Sequence, residues 1–246
     1  MYHWIKDRKF LGKMKRLCSD VVNQLVQEIN KDDRMFVRSF LVGSGARNLF
    51  TQNGNQPIDL DYNLEIMDYD YYDFRNGREI KEYIRKKFNI VLEKNDFSDC
   101  QDSTSALTTR KIHFTQGNQT EFSIDICIVK KDIYGWHRLI HNKYGNIYTD
   151  PYHWEIVRDS KGLDDRVKWL KDNDLWEEVR ETYLNKKNKY LRCPYDHNHS
   201  SFIVYIESVN EVYGKYTKHT IEYSNHLKKI RWFFHVKTKE KKYEHF

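Results

Sequence analysis

Two aspartates separated by one residue are the most informative pair of chemical groups in this sequence of 246 residues. Asp59 and Asp61 lie in a run over residues 58–66 in which apolar and polar residues alternate without interruption. This period of two predicts a β-strand that carries both carboxylates on one face. Neighbouring like charges repel each other unless a cation lies between them. The pair on its own favours an ordinary strand with a solvated polar face, and a divalent metal site is predicted only when the preceding turn is considered with it.

A glycine-rich turn precedes this strand. Residues 36–42 form an apolar, β-branched run that predicts another strand, and Gly43-Ser44-Gly45 follows it directly. Glycine lets the backbone approach a ligand closely. We expect residues 46–51 to form a short helical turn whose free N–H groups attract an anion such as a phosphate. A phosphate-binding turn beside paired carboxylates indicates metal-dependent phosphoryl chemistry.

The turn and the strand together resemble the signature of the DNA polymerase beta-like nucleotidyltransferase superfamily, in which Gly-Ser is followed by Asp-x-Asp. The segment 43–47 also resembles the Gly-Ser-x-Ala-Arg form of the small bacterial and antibiotic-modifying members. The resemblance implies a third carboxylate on a later strand. Asp125 meets this expectation, because it lies in a second alternating run over residues 121–128 with an isoleucine on either side.

The same resemblance implies a role for each of these residues. Asp59, Asp61 and Asp125 would hold Mg²⁺ or Mn²⁺, and Asp125 would also help to remove the proton of an acceptor hydroxyl. Gly43 and Ser44 would bind the β- and γ-phosphates of a nucleoside triphosphate, with ATP as the expected substrate.

Further positive charge for the triphosphate is expected in both halves of the chain. Arg47 either contacts a phosphate, steadies the acidic site or is a helix-surface charge. Superfamily members with a helical second domain often place a lysine on one helix and a serine at the start of the next. Lys186 or Lys187, followed by Ser200 and Ser201, resembles that arrangement. A solvated basic helix end is the alternative interpretation of the two lysines.

The order of the helices and strands expected around these groups predicts an α+β protein. We expect a mixed-sheet nucleotidyltransferase core over residues 1–132 and a mainly helical domain over residues 133–246 that binds the nucleotide and the acceptor. The spacing of apolar residues along the sequence predicts the individual helices and strands. Helices are expected over 13–30, 77–88, 163–170, 175–187 and 200–213, and strands over 36–42, 58–66, 90–93, 106–114 and 121–130, the last two as a hairpin.

Composition is consistent with a cytoplasmic protein that has an anionic partner. The net charge of +6 suits a nucleotide or RNA. The four cysteines have no paired spacing, which indicates free thiols in a reducing compartment. No apolar run is long enough for a membrane span, and no signal-peptide pattern is present, so no membrane partner is expected.

A cluster of Cys193, His197 and His199 could ligate zinc, and some superfamily members carry a zinc-binding insertion. The spacing Cys-x-x-x-His-x-His matches no common zinc finger, and a fourth ligand is not visible. We therefore expect a polar loop here rather than a structural zinc site.

The predicted reaction transfers a nucleoside monophosphate from a triphosphate to a hydroxyl acceptor and releases pyrophosphate. The long interval between Asp61 and Asp125 resembles the CCA-adding and oligonucleotide-synthase branch, whose acceptors are RNA or another nucleotide. The Ala46-Arg47 pair instead resembles the antibiotic- or protein-modifying branch. A catalytically silent nucleotide-binding module, in which the carboxylates only hold a cation, is the alternative from a different functional class.

Overall fold

The computed structural model of the protein describes residues 1–144, 151–157, 162–193 and 201–217. The strands are β1 (Tyr2–Trp4), β2 (Met35–Leu41), β3 (Thr51–Asn53), β4 (Ile58–Tyr69), β5 (Gln101–Asp102), β6 (Leu107–Thr108), β7 (Phe122–Asp132), β8 (Gly135–His141) and β9 (Tyr152–Ile156). The helices are α1 (Arg8–Ile29), α2 (Gly43–Ala46), α3 (Gly77–Lys94), α4 (Leu163–Asp172), α5 (Trp176–Leu191) and α6, described over residues 201–217.

Seven of the described strands form one mixed sheet, and this confirms the predicted α+β class. The strand order is β2-β4-β7-β6-β5, and β8 and β9 continue from the second half of β7. β4 and β7 are parallel, whereas the other described pairs are antiparallel. β7 pairs with β6 at residues 125–126 and with β8 at residues 129–132. One strand therefore has β6 as a neighbour along its first half and β8 along its second half.

Helices α1 and α3 cover the apolar face of the sheet. The predicted helices over 13–30 and 77–88 are confirmed, because their apolar residues recur at helical spacing and are buried together with the isoleucines of β4 and β7. The strand predicted over 90–93 is wrong. α3 continues through this segment because Val91 and Leu92 lie on the same buried face as Phe88.

Two shorter predictions also need correction. The helical turn expected over 46–51 lies earlier, at Gly43–Ala46, and ends before Asn48, whose φ of 54° is left-handed. The strand expected over 106–114 is reduced to β6 and one further bridge between Ile112 and Phe122. Both segments run across the end of the sheet that carries the carboxylates.

Helices α4, α5 and α6 pack around a second apolar core that includes Leu170, Val179, Tyr183 and Val209. The sheet itself continues past residue 132 through β8 and β9, and in β9 aromatic and polar residues alternate. The division into domains at 132/133 stays a prediction. None of the described helices is both long and apolar enough to cross a membrane.

Candidate active site

Three carboxylates meet on the polar face of the sheet. Asp61 on β4 lies directly beside Asp125 on β7, and Asp59 lies beside Ser123 in the same parallel ladder. Adjacent strands are about 4.8 Å apart, and residues two apart on a strand share a face. The alternation predicted from the sequence thus places the three carboxylates on one face of two adjacent strands.

Burial and mutual repulsion make this group electrostatically unfavourable without a cation. Burial, with the charges of Asp125 and Asp59, raises the pKa of Asp61 to about 7. Burial and the charge of Asp59 raise the pKa of Asp125 to about 6, although a hydrogen bond from Thr108 opposes the shift. A positive ion at this place would favour the ionised form of both groups.

The donor set fits a divalent metal ion. Asp125 Oδ1 is buried and has no hydrogen-bond partner among the described residues. The Ser123 hydroxyl donates to Asp59 Oδ1 over 2.6 Å and so occupies one oxygen of that carboxylate. Within the described ranges, no group of three or more His, Cys, Asp or Glu side chains is already arranged to hold a metal ion. Carboxylate oxygens are nevertheless the ligands that Mg²⁺ prefers.

The turn after β2 reaches the acidic group through Gly43. Its φ is +60°, and a Cβ atom built on it would lie 2.6 Å from Asp61 Oδ2. The backbone N–H of Val42 donates to the Asp61 carbonyl over 2.8 Å, which fixes the turn against β4. Ser44 follows in α2 and also lines the cleft. The glycine is therefore needed for both its conformation and its lack of a side chain.

Lys187 on α5 faces the acidic group from the opposite wall. Its Nζ donates to Ser201 Oγ over 2.7 Å and lies 4.0 Å from the centre of the Tyr2 ring. Burial lowers the pKa of Lys187 to about 8, and the charges of Asp61 and Asp59 partly offset that shift. The structure thus brings a buried cation, a hydroxyl and the carboxylates into one cleft.

The other predicted basic residues take different positions. Lys186 turns away from the cleft and pairs with Glu211 at 2.8 Å and with Glu207 at 3.8 Å. The Arg47 guanidinium lies 4.0 Å from the centre of the Tyr205 ring and lines the cleft. Ser200, His197 and His199 lie outside the described residues, and Cys193 alone of the suspected zinc cluster is described.

Several cleft residues have no counterpart in the sequence analysis. Tyr2 is fixed to α5, because its backbone N–H donates to Asn188 Oδ1 over 2.7 Å and its carbonyl accepts from Asn188 Nδ2 over 3.1 Å. Asn63 lies two residues beyond Asp61, so the alternation could have identified it. Tyr2 carries no such signal, because it reaches the site only through tertiary packing.

Beyond the carboxylates, the cleft continues along the sheet away from Ser44. Phe40 lies beside Asn63 in the β2–β4 ladder, and its ring centre is 5.5 Å from that of Trp136. Arg138 follows on β8 and pairs with Glu155 at 3.3 Å. The whole cavity has a volume of about 930 Å³. One end of the cleft thus has Lys187 and hydroxyl groups, and the other has aromatic rings, the Asn63 amide and the Arg138 guanidinium.

No protein-family model matches this sequence, and no curated protein does. Among solved structures, the chain is similar to the CdnE cyclic dinucleotide synthase of Elizabethkingia meningoseptica with GTP and Apcpp, at 14% identity and a TM-score of 0.47, over 78% of this chain and 68% of that one. It is also similar to CdnC of Escherichia coli MS115-1 with ATP, at 13% identity and a TM-score of 0.48, over 83% and 59%.

A third similar structure is the DncV cyclic AMP-GMP synthase of Vibrio cholerae with the linear intermediate 5′ pppA(3′,5′)pG, at 12% identity and a TM-score of 0.45, over 80% and 58%. The three proteins are members of the superfamily that the Gly-Ser and Asp-x-Asp motifs resemble. The chain spans less than two thirds of CdnC and DncV. At these identities and scores, the likeness carries no functional conclusion, and the chemistry of the cleft is inferred from its own residues.

Proposed function

We propose that the protein is a metal-dependent nucleotidyltransferase that moves a nucleoside monophosphate from a triphosphate, with ATP as the expected donor, to a hydroxyl acceptor. The observation that carries the proposal is a buried lysine facing three carboxylates across one cleft. Two walls of opposite charge fit a strongly anionic ligand that binds together with a metal cation. Neither wall alone would distinguish a phosphate site from an ordinary ion pair.

The triphosphate is proposed to lie between the turn after β2 and α5. The Ser44 hydroxyl, the Lys187 ammonium and the Ser201 hydroxyl would donate to its phosphate oxygens. A lysine pKa of about 8 leaves the ammonium mostly charged at neutral pH, so it can still neutralise a phosphate. We leave Lys186 out of this proposal, because its ion pairs hold it on another face of the helix.

Asp59, Asp61 and Asp125 would hold Mg²⁺ or Mn²⁺. When bound, the metal supplies charge neutralisation and a lower pKa for the acceptor hydroxyl. Asp125 would accept the proton of that hydroxyl as the general base. The acceptor oxygen then bonds to the α-phosphorus while the bond to the bridging oxygen of the β-phosphate breaks, and pyrophosphate leaves with that electron pair.

The acceptor is proposed to be a second nucleotide at the aromatic end of the cleft. Asn63 offers an amide that matches the edge of a base, and the Phe40–Trp136 pair offers an apolar wall. The volume of about 930 Å³ is at the upper end of the range for single small ligands, about 300–1,000 Å³. Cyclic dinucleotide synthesis, the activity named for two of the similar structures, is one reaction of this kind.

Incubation with the four ribonucleoside triphosphates, singly and in pairs, with Mg²⁺ or Mn²⁺ tests the proposal. Pyrophosphate release and mass spectrometry of the products are measured, and the Asp61→Asn variant is the control. We expect pyrophosphate and a nucleotide–nucleotide product from the wild type only. Nucleotide binding without pyrophosphate from any pair would favour the silent binding module. Turnover that requires added aminoglycoside, protein or RNA would move the acceptor to that class.

A further inference from the structure

A buried polar cluster of Lys81, Asp102 and His141 lies between α3, β5 and β8, and its side chains do not line the cleft. Lys81 on α3 is only 1% exposed, and its Nζ lies 2.6 Å from Asp102 Oδ1 on β5. His141 on β8 is 5% exposed, and its Nδ1 lies 2.6 Å from Asp102 Oδ2. Burial lowers the pKa of Lys81, and the pair with Asp102 partly offsets this. A buried charged cluster is expensive unless fully satisfied, so its presence beside an apolar core requires a reason.

The cluster holds the turn between β5 and β6. Lys81 Nζ donates to the Ser103 carbonyl over 2.7 Å, and the His141 backbone N–H donates to the Thr104 carbonyl over 2.8 Å. Within the turn, the Ser103 hydroxyl donates to the Ala106 carbonyl over 3.0 Å. Ser103 and Ala106 line the same cleft as the carboxylates. The cluster therefore contacts main-chain carbonyls of the turn, while its three side chains do not line the cleft themselves.

The strand after this turn leads directly to Asp125. Thr108 on β6 is paired with Asp125 on β7, and its side chain makes a hydrogen bond to that carboxylate. β5 and β6 are only two residues long. So short a ladder is weak on its own. On the C-terminal side of Thr108, the Thr109 backbone N–H donates to the Ile124 carbonyl over 3.0 Å. On its N-terminal side, Leu107 pairs with Ile126, and before Leu107 the turn is held by its contacts to Lys81 and His141.

We propose that Lys81, Asp102 and His141 are positioning residues, which hold the β5–β6 turn so that Thr108 orients Asp125 at the acceptor side of the cleft. This inference rests on the proposed nucleotidyltransferase function. The cluster acts through backbone contacts and does not touch substrate. Misplacing a catalytic group by about 1 Å can lower a rate about 10²-fold. Loss of the cluster should therefore lower kcat and leave triphosphate binding at the Lys187 wall unchanged.

A charge-neutral double variant, Lys81→Met with Asp102→Asn, tests the inference without leaving a buried charge unpaired. Lys87→Met is the matched control, because Lys87 is on the same helix and pairs with Asp32 at 3.4 Å, away from the cleft. We expect kcat for pyrophosphate release to fall about 10–100-fold in the double variant and to stay within about twofold in the control. The Kd of a non-hydrolysable ATP analogue with Mg²⁺ should change less than about threefold in both.

Two readouts separate positioning from a simple loss of stability. Amide hydrogen exchange over residues 103–109 should accelerate in the double variant, whereas exchange in α5 should not. His141→Asn retains a donor near the Nδ1 position and should keep most of the activity that His141→Ala loses. Equal kcat values for the double variant and Lys87→Met, or unchanged exchange over 103–109, would overturn the inference. Absence of pyrophosphate release from the wild type would instead refute the proposed function.

Discussion

The two walls of the cleft carry opposite charges on different kinds of secondary structure. One wall consists of carboxylates on the parallel strands β4 and β7, and the other presents Lys187 from the last turns of helix α5. On the strands, residues two apart share a face, so Asp59 and Asp61 both reach the cleft. On the helix, successive residues point about 100° apart, so Lys187 faces the cleft while Lys186 forms surface ion pairs.

This difference in secondary structure determines how substitutions should act on each wall of the cleft. A strand wall is fixed by register, so a group of like charges stays assembled despite repulsion. On a helix, adjacent side chains point in different directions, so a lysine at a neighbouring position cannot replace one that faces the cleft. Removing a carboxylate should therefore affect the chemistry, and removing the lysine should affect binding.

Asp61→Asn is expected to have the largest effect, a loss of about 10³-fold or more in kcat for pyrophosphate release. One ligand charge disappears from the middle of the acidic group. The fold should remain, because the variant relieves repulsion and a buried charge. Asp68→Asn, an exposed change on the same strand, is the control and should retain full activity. Wild-type turnover by Asp61→Asn would refute the assigned role, and unfolding would indicate a structural one.

Gly43→Ala should lower the free energy of unfolding by about 2–3 kcal/mol and reduce activity. The new methyl group would have to occupy a position 2.6 Å from Asp61 Oδ2, in a backbone conformation with φ of +60°. Gly54→Ala is the matched control, because Gly54 has a φ of +56° and nothing within 4 Å. Urea unfolding of both variants isolates the contact from the backbone strain. Equal losses would show that the turn does not press against Asp61.

Lys187→Met is expected to weaken binding of a non-hydrolysable ATP analogue by about 1–3 kcal/mol, or roughly 5- to 150-fold in Kd. Lys186→Met should change the Kd less than about twofold, because Lys186 pairs with Glu211 on another face. Isothermal titration with Mg²⁺ present measures both. A larger effect of Lys186→Met would mean that α5 turns Lys186, and not Lys187, towards the cleft.

The strand wall could be predicted from sequence better than the helix wall. A period of two needs only a local pattern, so the common face of Asp59 and Asp61 followed from alternation, whereas the place of Asp125 beside them followed from the family resemblance. The choice between Lys186 and Lys187 depends on how α5 is rotated against its neighbours, which tertiary packing decides. Tyr2 and the cluster around Asp102 come from distant segments and leave no local pattern.

The acidic group should make the metal-free protein less stable as pH rises from about 4 to 7. In this window the folded state retains protons on Asp61 and Asp125 that the unfolded chain has released, because both folded pKa values are raised above the ordinary value of 3.8. Mg²⁺ favours the ionised carboxylates, so it should raise the Tm by about 3–6 °C at pH 7.5 and much less at pH 5.

Thermal unfolding in EDTA and in Mg²⁺ at both pH values tests this expectation. An Asp61→Asn/Asp125→Asn variant controls for the other titrating groups and should lose both the pH-dependent difference and the response to Mg²⁺. An equal Mg²⁺ response in the variant would place the bound ion elsewhere on the protein.

Ser201→Ala should have the smallest effect on the helix wall, a weakening of ATP-analogue binding by about 0.5–1.5 kcal/mol. The Ser201 hydroxyl accepts from Lys187 Nζ over 2.7 Å, so it orients the ammonium and adds a donor for the triphosphate. Ser208→Ala is the matched control, because that hydroxyl donates to the Val204 carbonyl of its own helix. The two substitutions Ser201→Ala and Lys187→Met should not be additive, since each removes part of one shared contact. Additive losses in the double variant would show that serine and lysine bind the nucleotide independently, and the helix wall would then consist of two separate contacts.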